Sequence, residues 1–286
     1  MLREIRELGF EYAELSHGIR LSLVPGILEA VDAGEIRISS LHNFCPLPMG
    51  VTQPAPNLYE FSAEDEEDRE LAIKHTLKTL EFATRVKAPM VVLHLGRIEM
   101  KDYTGKLSKL LEPNRTISPK FEKLRAEALK TCEGKKGQFF ARMKETLKLI
   151  LPEAEKRGIK LGCENRQALE ELPLDGDFES FLDEFAGPNI CYWHDTGHAQ
   201  IKENFGILRH TAFLEKLATR LAGFHIHDVK FPAADHAAPG TGTIDFAVLK
   251  PFVMPGHIKV FEFSPALSAL NVKNGVAHLR RIWGDT

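Results

Sequence analysis

Six residues with metal-binding side chains recur along this chain, each at the end of a short apolar run with the character of a β-strand. They are His42, His94, Glu164, Asp195, His225 and Glu262. If the runs are parallel strands, all their carboxyl ends lie at one rim and these side chains converge there. Carboxylates and imidazoles brought together repel each other or lack partners unless a cation binds between them. One such histidine would more often be a hydrogen-bonded core residue, but the succession of six predicts a divalent-metal site.

Two short motifs lie at these strand ends. In the run HDTGH, Asp195 and His198 are three residues apart, and a turn after a strand can direct both side chains into one opening. His198 has two alternative roles, which are capping the next helix and orienting Asp195. In the run HIHD, His225 and His227 alternate and therefore share one face of the strand, while filling the barrel interior is the alternative for His227. Asp228 then lies at the strand tip, as a helix cap or a hydrogen-bond acceptor.

The elements that position these residues follow a regular alternation of apolar runs and amphipathic segments. The strands are predicted at 12–16, 36–42, 90–95, 160–164, 190–194, 223–227 and 258–263. Helices are predicted at 2–8, 65–86, 139–157, 178–185, 213–221, 246–252 and 272–283. This alternation is typical of a parallel sheet covered by helices, and it predicts an α/β fold of the (β/α)8 TIM barrel type in one domain, residues 1–286.

Two features depart from a regular eight-stranded barrel. The chain opens with a helix that Gly9 ends, so the strand expected before it is absent, either through truncation or through a start assigned too late. A closed seven-stranded barrel is the less favoured alternative, because it would leave two unpaired edges. The lysine-rich residues from about 97 to 138 are predicted to be an insertion. Its possible roles are a lid, a partner surface or a solvated charged excursion.

The composition restricts the class of protein. Hydrophobic residues make up 43% and charged residues 27%, as in ordinary globular proteins, and the formal net charge is −3. Nucleic acid is not an expected partner, because its binding surfaces are strongly basic. The four cysteines form no CxxC pair, and no apolar run approaches the ~18 residues of a membrane span. These features predict a cytoplasmic protein with reduced thiols and no membrane association, and they leave a homo-oligomer open.

Several runs together resemble the xylose isomerase-like TIM barrels, a superfamily of sugar isomerases, sugar epimerases and endonuclease IV-related enzymes. The runs are GFEYAEL, VVLHLG, LGCENR, HDTGHA, HIHD, DHAAPGTGTIDF and VFEFSP, and they cover nearly the whole chain from Gly9 onward. The resemblance implies one divalent ion, Mn²⁺ first and otherwise Zn²⁺, Co²⁺ or Mg²⁺. Its implied ligands are Glu164, Asp195, His225 and Glu262.

The same resemblance implies a reaction, namely isomerisation or epimerisation of a small-molecule sugar, keto-sugar or sugar derivative through a metal-stabilised enediolate. A cation held by a carbonyl and a neighbouring hydroxyl oxygen acidifies the C–H bond between them. Glu164 and Glu262 are the implied acid/base pair. The residues expected to bind substrate or support the ligands are His42, His94, Arg166, His198, His227 and His236. Arg166 follows Glu164 by two, so it points the same way if the strand continues, and a structural ion pair is the alternative.

Two alternative reactions remain. A keto-sugar lyase or dehydratase would use the same enediolate chemistry. An abasic-site endonuclease of the endonuclease IV type needs three zinc ions and an aspartate at position 234, whereas this chain has Ala234, with Asp235 displaced by one. The missing carboxylate and the acidic charge balance disfavour the endonuclease.

Overall fold

A computed structural model describes residues 1–112, 114–185, 187 and 189–284. The helices and strands are, in chain order, α1 (Leu2–Glu7), β1 (Tyr12–Leu15), α2 (Val24–Asp32), β2 (Arg37–His42), α3 (Glu66–Arg85), β3 (Met90–Leu93), α4 (Thr104–Leu110), α5 (Pro119–Arg157), β4 (Lys160–Glu164), α6 (Phe178–Glu184), β5 (Ile190–Asp195), α7 (Thr196–Asn204), α8 (His210–Leu217), β6 (Leu221–Ile226), β7 (Asp228–Lys230), β8 (Ala234–Ala237), α9 (Phe246–Leu249), β9 (Ile258–Phe261) and α10 (Ala269–Trp283).

Seven described strands form one sheet in the order β1-β2-β3-β4-β5-β6-β9. The order follows the chain and the strand pairs are parallel, as in a (β/α) barrel, so the predicted fold class is confirmed. All seven predicted strands are present, with ends within two residues of the predicted positions. Strands β7 and β8, which were not predicted, form a separate antiparallel pair.

The chain divides into two compact units. The first comprises Met1–Arg97, Gln138–Glu164 and Phe185–Cys191. Its strand β3 is buried at every residue, and this explains why its sequence MVVL is continuously apolar rather than alternating. Helix α3 begins at Asp65, whose carboxylate accepts the Glu67 backbone N–H, and three acidic residues in its first turn suit the positive end of the helix dipole.

The second unit comprises Ile98–Gly137, Asn165–Glu184 and Tyr192–Thr286. Trp193 and Phe224, on neighbouring strands β5 and β6, are fully buried. The ring of Tyr192 packs between helices α6 and α8, against Phe178 at 5.4 Å and Phe213 at 5.9 Å. Strand β9 comes last in the sheet order, and all four of its residues are half-buried.

The predicted insertion at 97–138 contains more regular structure than its composition suggested. Helix α5 already begins at Pro119 and runs for 39 residues, so it is continuous with the helix predicted from 139. Proline suits a first helical turn, and the abundant Glu, Lys, Leu and Ala outweigh the two glycines. Glu170 fixes the start of α4, because its buried carboxylate accepts the backbone N–H groups of Tyr103 and Thr104 at 2.5 and 3.1 Å. The roles considered for this segment remain predictions.

The cysteines and the helices bear on the predictions of reduced thiols and of no membrane span. Cys45, Cys132, Cys163 and Cys191 are all buried, and none of those described forms a disulfide. None of the described helices combines the length and apolar character needed to cross a membrane.

The carboxylate of Asp228 organises the segment that follows β8. One oxygen accepts the backbone N–H groups of Val229 and Ile244 at 2.8 and 3.0 Å, and the other accepts those of Gly240 and Gly242 at 3.0 and 2.8 Å. A Cβ on Gly242 would lie 2.4 Å from Asp228 Oδ1, so only glycine fits there. Two backbone N–H groups of the Pro-Gly-Thr-Gly turn thus bind this carboxylate.

We predict that Asp228→Asn lowers the free energy of unfolding by about 3 kcal/mol, because an amide nitrogen would then face two backbone N–H donors. Urea unfolding measures this loss. Asp245→Asn is the matched control, since its carboxylate accepts the Ala247 N–H at the start of α9 and asparagine caps helices equally well. Equal stability of both variants would contradict the anchoring role.

Candidate metal centre

A cluster of imidazoles around one carboxylate lies in the first unit. Glu164 is the last residue of β4, and its side chain is 1% exposed. His94 Nε2 lies 2.9 Å from Glu164 Oε2, and His42 Nε2 lies 3.8 Å from the same oxygen. The rings of His42 and His94 meet edge to face at 4.5 Å, and that of His17 packs on His42 at 4.7 Å. The predicted convergence of strand-end residues is therefore observed for His42, His94 and Glu164.

The other nitrogen of each of these two rings fixes its tautomer. His42 Nδ1 lies 2.9 Å from the carbonyl oxygen of Asn43, and His94 Nδ1 lies 2.7 Å from Asn57 Oδ1. Since both oxygens only accept, a ring proton lies on each Nδ1, and in neutral rings the Nε2 lone pairs then face the carboxylate of Glu164. Lone pairs directed at a carboxylate need a proton or a cation near them. Metal-bound histidines typically donate their second N–H to an oxygen in this way.

A second cluster, in the second unit, is organised by Asp195, which is the last residue of β5 and the N-cap of α7. Asp195 Oδ1 accepts the backbone N–H of His198 at 2.7 Å, and Oδ2 lies 3.1 Å from His227 Nε2. Asp195, and not His198, is therefore the residue that caps the helix. The His198 ring donates from Nδ1 to the carbonyl oxygen of Asn165 at 3.0 Å, so its lone pair lies on Nε2.

His227 supports Asp195 rather than presenting a lone pair. Its Nδ1 accepts the backbone N–H of His236 at 2.9 Å, so the ring proton lies on Nε2 and points at Asp195. The ring stacks on that of His236 at 4.3 Å with 8° between the planes. A Cβ on Gly197 would lie 2.0 Å from the His227 ring, which explains the glycine in the run DTGH.

His225 and Glu262 meet on adjacent strands of the same unit. His225 is the register partner of Asp195, and its Nδ1 lies 3.2 Å from Glu262 Oε2. Glu262 is 25% exposed and also lies 3.8 Å from His236 Nε2. Burial by itself would lower the pKa of His236, but its hydrogen bonds to Asp235 and Glu262 outweigh burial and raise that pKa to about 10. Here the displaced Asp235 contacts His236 at 3.0 Å.

Two groups in this second unit have ligand atoms within 4.8 Å of one another, as a shared cation requires. They are Asp195 with His198 and His227, and His227 with His236 and Glu262. Carboxylate oxygens and imidazole nitrogens form the donor set that Mn²⁺, Zn²⁺ and Co²⁺ accept, so the carboxylates of Asp195 and Glu262 and the Nε2 lone pair of His198 fit a divalent ion chemically.

Comparison with known proteins identifies the family and the fold. The sequence profile of the xylose isomerase-like TIM barrel family matches residues 2–281. The chain belongs to this family. No curated protein sequence matches this xylose isomerase-like barrel.

Solved structures show the same fold at low sequence identity. A D-tagatose 3-epimerase-like protein is 19% identical with a TM-score of 0.69, and the match covers 99% of this chain and 93% of that one. A 3-keto-D-glucoside 4-epimerase from E. coli is 17% identical with a TM-score of 0.65, covering 98% and 92%. A D-psicose 3-epimerase from Clostridium cellulolyticum is 12% identical with a TM-score of 0.66, covering 99% and 92%.

Arg166 lies two residues beyond the end of strand β4. Strand β4 ends at Glu164, so the alternation that would align Arg166 with it stops. The guanidinium is buried and contacts Glu171 Oε1 at 3.2 Å, and Glu171 also accepts the Ala168 backbone N–H. This contact agrees with the structural ion pair that was the alternative reading of this residue.

Four polar residues near Asp195 were not predicted to take part in the site. They are Asn165, Tyr192, His194 and His210. All four are buried, and each is hydrogen-bonded to the next one in this order. Asn165 follows Glu164 directly in the run LGCENR, and this position is the one signal that could have drawn attention to it. The others lie on the helix side of β5 or on α8, where a polar residue is not conspicuous in the sequence.

We predict that His210 makes this barrel less stable at acidic pH. Burial lowers the pKa of His210 from an ordinary value of 6.5 to about 4. The unfolded chain therefore takes up this proton below about pH 6.5 and the folded chain only near pH 4, so stability falls as pH decreases between them. His210→Gln, which cannot ionise, should lose about 2 kcal/mol less than the wild type between pH 7 and 4.5 in urea unfolding. Equal losses would contradict the prediction.

Proposed function

We propose that this protein is a divalent-metal-dependent epimerase or isomerase of a ketose or another keto-sugar. The observation that carries the proposal is the tautomer of two histidines beside a buried carboxylate. His42 and His94 donate their Nδ1 protons to oxygens and turn their Nε2 lone pairs toward Glu164. Metal-bound histidines typically donate their second N–H to an oxygen in this way, which supports a cation between these rings and the carboxylate.

We propose Glu164, Asp195, His225 and Glu262 as the ligands of one ion, with Mn²⁺ preferred. Three contacts support the set. Asp195 and His225 are register partners, and His225 contacts Glu262 at 3.2 Å. Asn165, covalently bonded to Glu164, holds the Asp195 backbone through its side-chain amide at 2.7 and 3.0 Å. His42, His94, His198 and His236 would support these ligands or bind sugar hydroxyls, and His227 would orient Asp195.

The two glutamates would carry the proton transfers. When bound, a divalent cation would polarise the sugar carbonyl and acidify the neighbouring C–H bond. One glutamate would then remove that proton and the other would return a proton to the opposite face of the carbon. Their environments differ, since Glu164 is 1% exposed and Glu262 is 25% exposed.

The substrate class is suggested by proteins of the same fold. The structures compared include epimerases named for tagatose, for psicose and for a 3-keto-glucoside. We therefore propose substrates that carry a ketone beside a carbinol carbon, without assigning a particular sugar. Screening should cover ketohexoses, their phosphates and 3-keto-glycosides, with abasic DNA included to test the endonuclease alternative.

We predict that Asp195→Asn removes most of the tightly bound divalent metal while the protein stays folded. Asparagine preserves the cap of α7 but removes the negative charge, so a loss of metal would not reflect loss of the helix. Elemental analysis after purification in Mn²⁺ should give about one equivalent for the wild type and for Asp245→Asn, the control. Undiminished metal in Asp195→Asn would exclude Asp195 as a ligand. Three tight equivalents would favour the endonuclease alternative.

The mechanism makes a separate prediction about solvent hydrogen. Turnover of a substrate in D₂O should place deuterium on the epimerised carbon, because the proton is exchanged through a carboxylate. Glu262→Gln should reduce kcat by about 10²-fold or more, the usual contribution of general acid/base catalysis, with substrate binding largely retained. Product without solvent deuterium would indicate a hydride shift instead. Near-normal turnover by Glu262→Gln would remove Glu262 from the mechanism.

A further inference from the structure

We infer that four buried side chains position Asp195 for its ligand role. They form one series of hydrogen bonds with a fixed donor-to-acceptor direction, and they are Asn165, Tyr192, His194 and His210. The inference rests on the proposed function in one respect only, which is that Asp195 binds a metal. The direction of the series follows from the contacts themselves and can be measured without any substrate. We call these four residues the relay.

The relay begins at the backbone of Asp195. Asn165 Oδ1 accepts the Asp195 backbone N–H at 2.7 Å, and Asn165 Nδ2 donates to the Asp195 carbonyl oxygen at 3.0 Å. The side-chain amide thus contacts both backbone groups of the residue at the strand end. Rotation of this amide by 180° would set two donors, and also two acceptors, against each other. One orientation of Asn165 therefore holds the backbone of Asp195, and the other disrupts it.

The hydroxyl of Tyr192 selects that orientation. It lies 3.0 Å from Asn165 Oδ1, which can only accept, so the hydroxyl donates to it. The Tyr192 oxygen is then the acceptor for His194 Nδ1 at 2.6 Å, which places a proton on that nitrogen. In a neutral His194 ring the lone pair consequently lies on Nε2.

The last contact completes the direction. His194 Nε2 lies 2.9 Å from His210 Nε2, so His210 must carry its proton on Nε2 and donate it. Both rings are buried, with 0% and 3% of their surface exposed, and burial favours neutral imidazoles. Protons therefore point from His210 to His194, from His194 to Tyr192 and from Tyr192 to Asn165.

The relay links the two faces of strand β5. Tyr192 and His194 alternate with Trp193 and Asp195, so they lie on the face covered by helices, opposite that of the carboxylate. His210 is the first residue of α8, and its backbone N–H donates to Glu203 at 2.9 Å. The position of Asp195 is thus tied to the helix layer as well as to its own side-chain partners, His198 and His227. Supporting residues of this kind typically change metal affinity by 10- to 100-fold when removed.

The direct test is the protonation pattern of the two rings. Long-range ¹H–¹⁵N correlation spectra of the full-length, ¹⁵N-histidine-labelled protein distinguish protonated from unprotonated ring nitrogens. We expect a proton on Nδ1 of His194 and on Nε2 of His210, with the signals assigned by their change in Tyr192→Phe and their loss in His210→Gln. A proton on Nε2 of His194, or on both nitrogens of either ring at pH 7, would overturn the relay.

The functional test is Mn²⁺ affinity, measured by calorimetry. Tyr192→Phe keeps the packing of the ring but removes the hydroxyl, and it should weaken Mn²⁺ binding about 10-fold. Phe213→Leu is the matched control, because it disturbs the packing of the same ring without touching a relay hydrogen bond, and it should bind within about twofold of the wild type. His210→Gln should restore what His210→Leu loses, since the glutamine amide can donate to His194.

The outcomes separate this inference from the proposed function. If the wild type binds Mn²⁺ but epimerises no sugar, the proposed substrate class fails and the relay stands. If Tyr192→Phe binds Mn²⁺ like the wild type, or if Phe213→Leu weakens binding equally, the positioning role fails and the proposed function stands. If the wild type binds no Mn²⁺, the preferred ion and the positioning role both fail, whereas the ring spectra still decide the direction of the relay.

Discussion

Carboxylates buried at the ends of parallel strands impose the main physical constraint on this protein. Glu164 and Asp195 are almost completely withdrawn from solvent, and an ionised carboxylate in such surroundings is stable only with strong compensating contacts. Apolar residues at these positions would make a more stable barrel. Imidazoles and backbone N–H donors surround the two carboxylates, and glycines leave room for them. This arrangement stabilises the ionised form of each carboxylate.

The two carboxylates meet this constraint in different ways. Asp195 is compensated within the chain, because one oxygen caps α7 and the other accepts a hydrogen bond from His227 Nε2. Glu164 has two imidazoles whose protons are directed away from it, toward Asn43 and Asn57. In neutral rings the Nε2 lone pairs would face the carboxylate, an arrangement that a cation between them would stabilise.

The relation to other barrels of this fold is one of architecture rather than close sequence similarity. Identities of 12 to 19% to two epimerases and one epimerase-like protein accompany TM-scores of 0.65 to 0.69 over nearly the whole chain. Such a comparison assigns the fold, whereas the reaction has to be argued from the site. Here the site argument depends on donor types and ring tautomers.

The sequence by itself predicted the seven strands and the residues at their ends. Both follow from local signals, since buried parallel strands are short apolar runs and a charged residue at the end of such a run is conspicuous. Family membership was likewise evident from motifs such as HDTGH and HIHD. The helix from Pro119, the pair of strands β7 and β8 and the partner of Arg166 were not predicted. At these three places the residue types and their spacing along the chain did not indicate the structure that forms.

Only the tertiary structure decided how the polar groups are paired. Asp228 binds backbone donors up to sixteen residues away, Glu170 anchors a helix that begins 66 residues before it, and the His194 ring meets His210 across sixteen residues. The direction of each hydrogen bond, and with it the nitrogen that carries each lone pair, depends on such contacts between distant parts of the chain. A residue's type shows which bonds it can make, but the fold alone supplies the partner, because hydrogen bonds require distances and angles that sequence spacing does not determine.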